Sequence, residues 1–286
     1  MFGIPNRIRF SKMTGSGNDF ILIDNRELKL SKESGRELAR LACRRKVSVG
    51  ADGLILLEND SEADFAWLFF NADGSEAEMC GNGARCAARF AQLKGIVNKE
   101  IISFRTLAGF IEAQVSGQRA KVRMTIPHSL QIDVQVALDG HILKLGFINT
   151  GVPHAVFFTD SPAMLEDLNV FHLGRSIRFH ERFQPGGSNA NFVFVSDPHN
   201  ITIRTYERGV EAETLACGTG SIAAALMAAA KNLAVSPVDV LTKGGETVRI
   251  HFEKILQGDG INFSDVYLEG DAKVVYDAEL WNETLG

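Results

Sequence analysis

Two cysteines sit where proton-transfer chemistry would want them. Cys80 lies in the stretch 71–89, NADGSEAEMCGNGARCAAR, between an apolar strand-like run (64–70, DFAWLFF) and a run of good helix formers (84–93). Gly81, Asn82 and Gly83 between them let the backbone turn tightly and leave helix-start N–H groups facing outward. A thiolate at such a terminus is favoured by the positive end of the helix dipole, and the same N–H groups can hold an oxyanion. Residues 214–230, TLACGTGSIAAALMAAA, repeat the plan around Cys217, with Gly218 and Thr219 in the turn. The cysteines are 217 − 80 = 137 residues apart, and aligning Gly15 with Gly151 in two further glycine loops gives 151 − 15 = 136. Two motif pairs at nearly one offset, in the same order, point to a duplicated unit of about half the chain.

A hydrolase or acyltransferase needs one thiolate and a histidine, which leaves the second cysteine loop without a purpose. Racemisation at carbon needs two groups on opposite faces, one removing a proton while the other delivers one. A thiol and a thiolate suit those roles and exchange them at each turnover. Helix-start N–H groups would stabilise the charge that builds on the substrate carboxylate as the α-proton leaves.

The elements that must position these residues follow from pattern and punctuation. Strands are expected at 8–13 and 20–24 around the loop 14–19, and a helix capped by Ser34 with Glu37 is expected to run to about Arg45. A second glycine loop, 49–53, precedes a strand at 54–58, and alternating segments at 101–104, 110–115 and 120–125 read as antiparallel strands. In the second half, strands are expected at 132–136, 141–148, 155–159, 191–195 and 201–206, with a short helix opening at Ser161 and Pro162. His172 and His180, among Arg175, Arg178 and Arg182, read as surface. Glu207 and Arg208 close a buried strand ten residues before Cys217, a placement that favours holding a ligand over an idle surface pair. The tail returns to strands near 241, 248–252, 265–268 and 273–276.

At 286 residues, 45% hydrophobic and 23% charged, the chain is long enough for two globular domains. A net charge of −5 and pI near 5.8 argue against a nucleic-acid partner. The four cysteines form no C-x-x-C pair and the histidines are scattered, so no metal is expected. No secretory apolar core follows Met1 and no apolar run approaches a membrane span, so the expectation is a cytoplasmic protein with free thiols and no membrane partner.

The segments KMTGSGNDF, FNADGSEAEMCGNGARC, NTGVPHAV, YERGVEAETLACGTGS and LEGDA together resemble the diaminopimelate epimerase family, in order and over essentially the whole chain. The resemblance implies a cofactor-independent isomerase that interconverts LL- and meso-2,6-diaminopimelate for lysine and peptidoglycan precursors, commonly as a homodimer. It implies an α/β (α+β) fold of two pseudo-symmetric domains, each a mixed, mainly antiparallel sheet wrapped around a central helix. The first would span 1–123, with 271–286 returning to it, and the second 124–270. Carried over by motif, Cys80 and Cys217 match the acid/base pair. Asn18, Asn71, Asn189, Glu207 and Arg208 match residues that grip the substrate, chiefly its distal end. Gly81, Asn82, Gly218 and Thr219 match donors around the reacting carboxylate. His154 matches a supporting histidine, expected to hold Cys80 in a reactive protonation state while Glu207 serves Cys217.

Two departures touch the substrate grip. Val152 stands where many members have asparagine, with Asn149 as a nearby substitute, and Gly53 stands where some have glutamine. A proline or hydroxyproline racemase is the nearest rival, but such a substrate gives Glu207, Arg208 and the three asparagines no distal group to hold. A binding protein that kept the fold would have no use for a paired acid and base, and a redox disulfide would predict activity with dithiols.

Overall fold

The computed structural model describes residues 4–138, 140–258 and 260–285, and the chain divides into two compact units, Met1–Val122 with Gly270–Gly286, and Arg123–Glu269. In the first unit, strand Arg7–Gly15 turns through Ser16 and Gly17, both at positive φ, into Asn18–Asp24, and pairs on its other side with Lys273–Trp281. Asn18–Asp24 runs parallel to Gly53–Glu58, which requires a crossover, and helix α1 (Lys32–Ala42) supplies it. Gly53–Glu58 then pairs antiparallel with Phe65–Asn71. A second parallel crossover, through helix α2 (Gly81–Leu93), leads to Ile101–Thr106, followed by the antiparallel strands Gly109–Ser116 and Arg119–Arg123.

The second unit has the same order. After the hairpin of His128–Leu138 with His141–Asn149, strand Pro153–Phe158 runs antiparallel to His141–Asn149 and parallel to Asn189–Asp197. The crossover here is two helices, α3 (Pro162–Asp167) and α4 (Val170–Phe179). Asn189–Asp197 pairs antiparallel with Asn200–Glu207, and the crossover through helix α5 (Gly218–Ala230) reaches the parallel strand Val238–Leu241, then Thr247–Gln257 and Gly260–Asp271.

The two crossover helices that follow the cysteines match in detail. Each has 13 residues, begins at a cysteine in extended conformation at the N-cap, and is built from alanine and small residues that let strands approach closely. Each also ends the same way. After α2, Gly95 at φ +67° donates to Gln92 O while Ile96 N–H reaches Ala91 O; after α5, Asn232 at φ +59° donates to Ala229 O while Leu233 N–H reaches Ala228 O. These are Schellman ends, with glycine in one half and asparagine, the other residue that tolerates the left-handed region, in its counterpart. Helix α5 is buried from Gly220 to Ala230 and packs against Ile148, Val156, Val193, Ile203, Val240 and Ile250. A helix apolar on every side has to be enclosed by its sheet.

Two expectations are corrected. Helix α1 is capped by Ser31, whose Oγ accepts from Ser34 N–H at 3.2 Å, and it ends at Ala42. Ser34 is buried within the first turn, and release of the chain after Ala42 frees Arg45 to reach Asp19 and Asp52. The stretch around His172 is a helix, α4, whose inward residues Val170, Gly174 and Ile177 recur at helical spacing among arginines that mask the pattern. His172 itself is exposed.

Helix α4 sets the strand that ends in Glu207. A β-carbon on Gly174 would lie 2.4 Å from Cβ of Tyr206, the buried residue just before Glu207. Alanine inside a helix normally gains about 1 kcal/mol over glycine, but here overpacking of about 1–3 kcal/mol outweighs it. Gly174→Ala is therefore expected to lower the denaturation midpoint, and a rise would show that α4 and this strand are not in close contact.

Candidate active site

Cys80 and Cys217 occupy the N-caps of α2 and α5, the position from which serine or aspartate ordinarily accepts from the N–H groups two and three residues on. Neither sulfur makes a cap hydrogen bond of full geometry, as expected of a neutral thiol, a weak acceptor. Burial pushes the Cys80 thiol up, while the N–H groups of Gly83 and Asn82 and the charge of Arg85 draw it down. Burial, and after it the charge of Glu207, push Cys217 up to about 11, against the opposing effect of Thr219 Oγ1, 3.5 Å away, and the N–H groups of Gly220 and Thr219. The two cysteine environments are thus alike in backbone and opposite in charge. Cys80 is half-buried with a cation behind it, and Cys217 is buried with a carboxylate beside it.

The surroundings of Cys80 rest on a chain of side-chain hydrogen bonds. Asn18 Nδ2 donates to Asp52 Oδ2 at 2.9 Å, and Asn82 Nδ2 donates to Asn18 Oδ1 at 2.8 Å and to Ser16 O at 3.3 Å. Asn82 Oδ1 accepts from Arg85 Nη2 at 2.8 Å, and the same nitrogen reaches Ser16 Oγ at 2.6 Å. The side chain of Asn82 is thereby committed to the protein, so its backbone N–H is what it offers at the helix start. Arg85 is fully buried. The loop is pinned by four charges, with Lys12 Nζ 2.7 Å from Asp19 Oδ2 and Arg45 Nη2 bridging Asp19 and Asp52 at 2.5 and 2.9 Å. Asn71 is exposed at its strand end, its Nδ2 donating to Ser75 Oγ at 3.0 Å.

In the second unit, Asn189, His154, Glu207 and Arg208 come together at adjacent strand ends. His154 pairs in register with Asn189, and Asn189 Oδ1 accepts from Arg208 N–H at 2.6 Å. The turn that carries Glu207 and Arg208 is closed by Glu211, which accepts from Gly209 N–H, Tyr206 Oη and Arg178 Nε at 3.1–3.2 Å. Burial raises the Glu207 carboxyl above its ordinary range. Gly220 lies between sulfur and amide: a β-carbon there would be 3.3 Å from Cys217 Sγ and 2.5 Å from Asn191 Oδ1.

The two departures have local reasons. A β-carbon at Gly53 would meet the Phe69 ring at 2.6 Å and Phe70 O at 2.8 Å, so Phe69 fills the space a longer side chain would need. Asn149 uses its Oδ1 to accept from Gly151 N–H at 3.0 Å, holding the loop that Val152 completes. Arg85, Asn191 and Asp52 escaped the sequence reading. An arginine in an alanine-rich helix start, five residues after a cysteine, is the signal that could have found Arg85.

A model of the family described as diaminopimelate epimerase matches residues 10–129 and 146–257. The chain belongs to this family. A diaminopimelate epimerase of Aquifex aeolicus (strain VF5) is 47% identical over 97% of the chain and 99% of its own length. One of Chlorobaculum tepidum is 40% identical over 92% and 98%. Among solved structures, a Bacillus anthracis phenazine biosynthesis protein of the PhzF family aligns with TM-score 0.73 at 15% identity, over 96% of the chain and 99% of its own. A hydroxyproline epimerase from Agrobacterium vitis aligns with TM-score 0.63 at 14% identity, over 96% and 93%. At these identities the two structures share the fold, which is that of the diaminopimelate epimerases. Among the described residues, no helix is long and apolar enough to cross a membrane.

Thiolate fraction and exposure together set the order of alkylation. Iodoacetamide labelling, mapped by mass spectrometry, is expected at Cys80 first and at Cys217 more slowly, both faster as pH rises toward their raised pKa values. Cys43 and Cys86, buried and each pushed up to about 12, should label only on unfolding. Labelling of Cys217 ahead of Cys80 would contradict the assigned asymmetry.

Proposed function

We propose that the chain interconverts LL- and meso-2,6-diaminopimelate by passing the α-proton between two thiols, as an isomerase of lysine and peptidoglycan precursor synthesis. The observation that carries this reading is the pair of cysteines at the N-caps of two matching buried helices, one beside Arg85 and one beside Glu207. Hydrolysis would use one of them, and redox chemistry would not need the helix starts.

Both thiols are protonated in the free protein at neutral pH, because burial holds both pKa values above that of an exposed cysteine. Arg85 makes Cys80 the first to ionise, and Glu207 keeps Cys217 a thiol. Once Cys80 has given its own proton to solvent, its thiolate removes the α-proton as the C–H bond breaks, and the Cys217 thiol delivers its proton to the opposite face. The products are the inverted amino acid, a Cys80 thiol and a Cys217 thiolate, from which the reverse reaction starts. No external electron sink enters the scheme. Charge on the carboxylate is met by the N–H groups of Gly81, Asn82, Gly218 and Thr219, which act without reorganising. Glu207 and Arg208 offer opposite charges to the distal ammonium and carboxylate, with Asn18, Asn71 and Asn189 as neutral partners, and His154 supports the centre.

The active form is a homodimer. Strand Lys273–Trp281 pairs along one side with Arg7–Gly15, yet every residue from Lys273 to Glu279 is exposed, including Val274, Val275 and Tyr276. A strand with apolar residues partly exposed on both faces is a surface that a second copy would cover. Free thiols and acidic charge fit the cytoplasm, with a small-molecule substrate and neither nucleic acid nor membrane as partner.

The test is turnover of LL-diaminopimelate by the reduced protein, beside proline, with Cys80→Ala and Cys217→Ala as variants. Diaminopimelate alone should epimerise, and each variant should lose roughly 10²–10⁴-fold in kcat. Turnover of proline in place of diaminopimelate would move the substrate, and full activity in either variant would end the two-thiol scheme. The same preparation should sediment as a dimer.

A further inference from the structure

His154 is fully buried, and its hydrogen bonding fixes where its proton resides. Asn191 Nδ2 lies 3.0 Å from His154 Nδ1 and 3.1 Å from Ala155 O, while Asn191 Oδ1 accepts from Thr205 Oγ1 at 3.1 Å. A backbone carbonyl can only accept, so Ala155 identifies the Asn191 atom facing it as nitrogen. The two hydrogens of that nitrogen are then divided, one to Ala155 O and one to His154 Nδ1. Nδ1 is therefore an acceptor, and the single proton of the neutral ring sits on Nε2. Nε2 is itself buried and has no hydrogen-bond partner among the described residues. Leaving a buried donor unmet costs about 1–3 kcal/mol, which calls for an acceptor that arrives later.

Asn191 is equally constrained from the other side. It is 1% exposed, and Gly220 leaves room for its amide oxygen beside the start of α5, where any β-carbon would collide. The amide thus ties three elements together next to Cys217. They are the strand of His154, the strand of Thr205 and the first turn of α5.

We infer that Asn191 is a positioning residue that locks His154 as the neutral Nε2–H tautomer, so that His154 enters the reaction as a hydrogen-bond donor to an anionic acceptor and not as a proton-accepting base. This rests on the epimerase reading for what the acceptor belongs to, and it reverses the sequence-based expectation that His154 takes part in setting a thiol's protonation. Burial agrees with it: it outweighs the Asn191 contact, which acts upward, and with the positive charge of Arg208 it pushes the imidazolium down to about 3.

The experiment needs no substrate in its first arm. Long-range proton–nitrogen spectra of the full chain carrying 15N-histidine, with the His154 signals assigned from His154→Gln, report the tautomer directly. The expected result is a ring bare at Nδ1, protonated at Nε2 and not titrating between about pH 5 and pH 8, where an ordinary histidine would. An Nδ1–H ring, or a titration in that window, would overturn the proposal whatever the enzyme's activity. The second arm separates donor from base. Glutamine keeps an N–H donor and cannot act as a base, so His154→Gln should stay within about tenfold of the parent kcat with an unchanged pH profile, whereas His154→Leu should fall roughly 10²-fold. Equal losses in the two variants, or a pH profile altered by glutamine, would also overturn it. Loss of tautomer control in Asn191→Asp, seen as a proton appearing at Nδ1, completes the assignment. Parent protein that passes the first arm but fails to turn over diaminopimelate would leave the tautomer standing and refute the substrate.

Discussion

Everything at the two cysteines depends on the competition between a helix start and its own burial. The free N–H groups of α2 and α5 favour a negative sulfur at the N-cap, and enclosure within the sheets disfavours it. Were the helix termini to dominate, both cysteines would rest as thiolates and neither could donate; were burial alone to act, both would stay thiols and neither could accept the α-proton. The remaining charges decide between these limits. Arg85 tips one sulfur toward the anion and Glu207 tips the other toward the thiol, so a backbone repeated twice holds two thiols that differ in how readily they ionise.

That asymmetry has structural costs which the fold meets close by. A fully buried guanidinium is tolerable because Ser16, Asn82 and the carbonyls of Gly81 and Asp271 surround it. The same contacts fasten α2 to the Asn18 loop, so the group that tunes Cys80 also fixes the loop assigned to the substrate. In the second unit, Glu211 and Asn189 hold the turn that presents Glu207 and Arg208, and Asn191 sets the ring of His154. Electrostatics and rigidity are in each case supplied by the same side chains.

Much of this was visible in the residues. The 137-residue offset of the cysteines corresponds to two 13-residue helices with the same caps at both ends, because a duplicated βαβ plan preserves spacing where surface sequence drifts. Glu207 and Arg208 stood out as charges closing a buried strand. Other features were hidden for physical reasons. Helix α4 carries only three buried positions among arginines, so its periodicity is weak. Ser31 and Ser34 compete for one cap, and only packing chooses between them. Asn191 reads as one polar residue in an apolar strand, and its importance comes from neighbours on Asn200–Glu207, α5 and Pro153–Phe158 that sequence does not reveal. The tight space at Gly53 depends on Phe69, which sits across a strand pair.

The central claim is that two thiols, not one, carry the proton. The most direct measurement is isotope placement during the first few per cent of reaction of LL-diaminopimelate in deuterium oxide. Two bases predict deuterium at the inverted carbon of the meso product, delivered from one sulfur, while recovered LL substrate keeps its hydrogen, returned by the other. Deuterium appearing at equal rates in substrate and product would mean that a single group serves both faces, and would contradict the account.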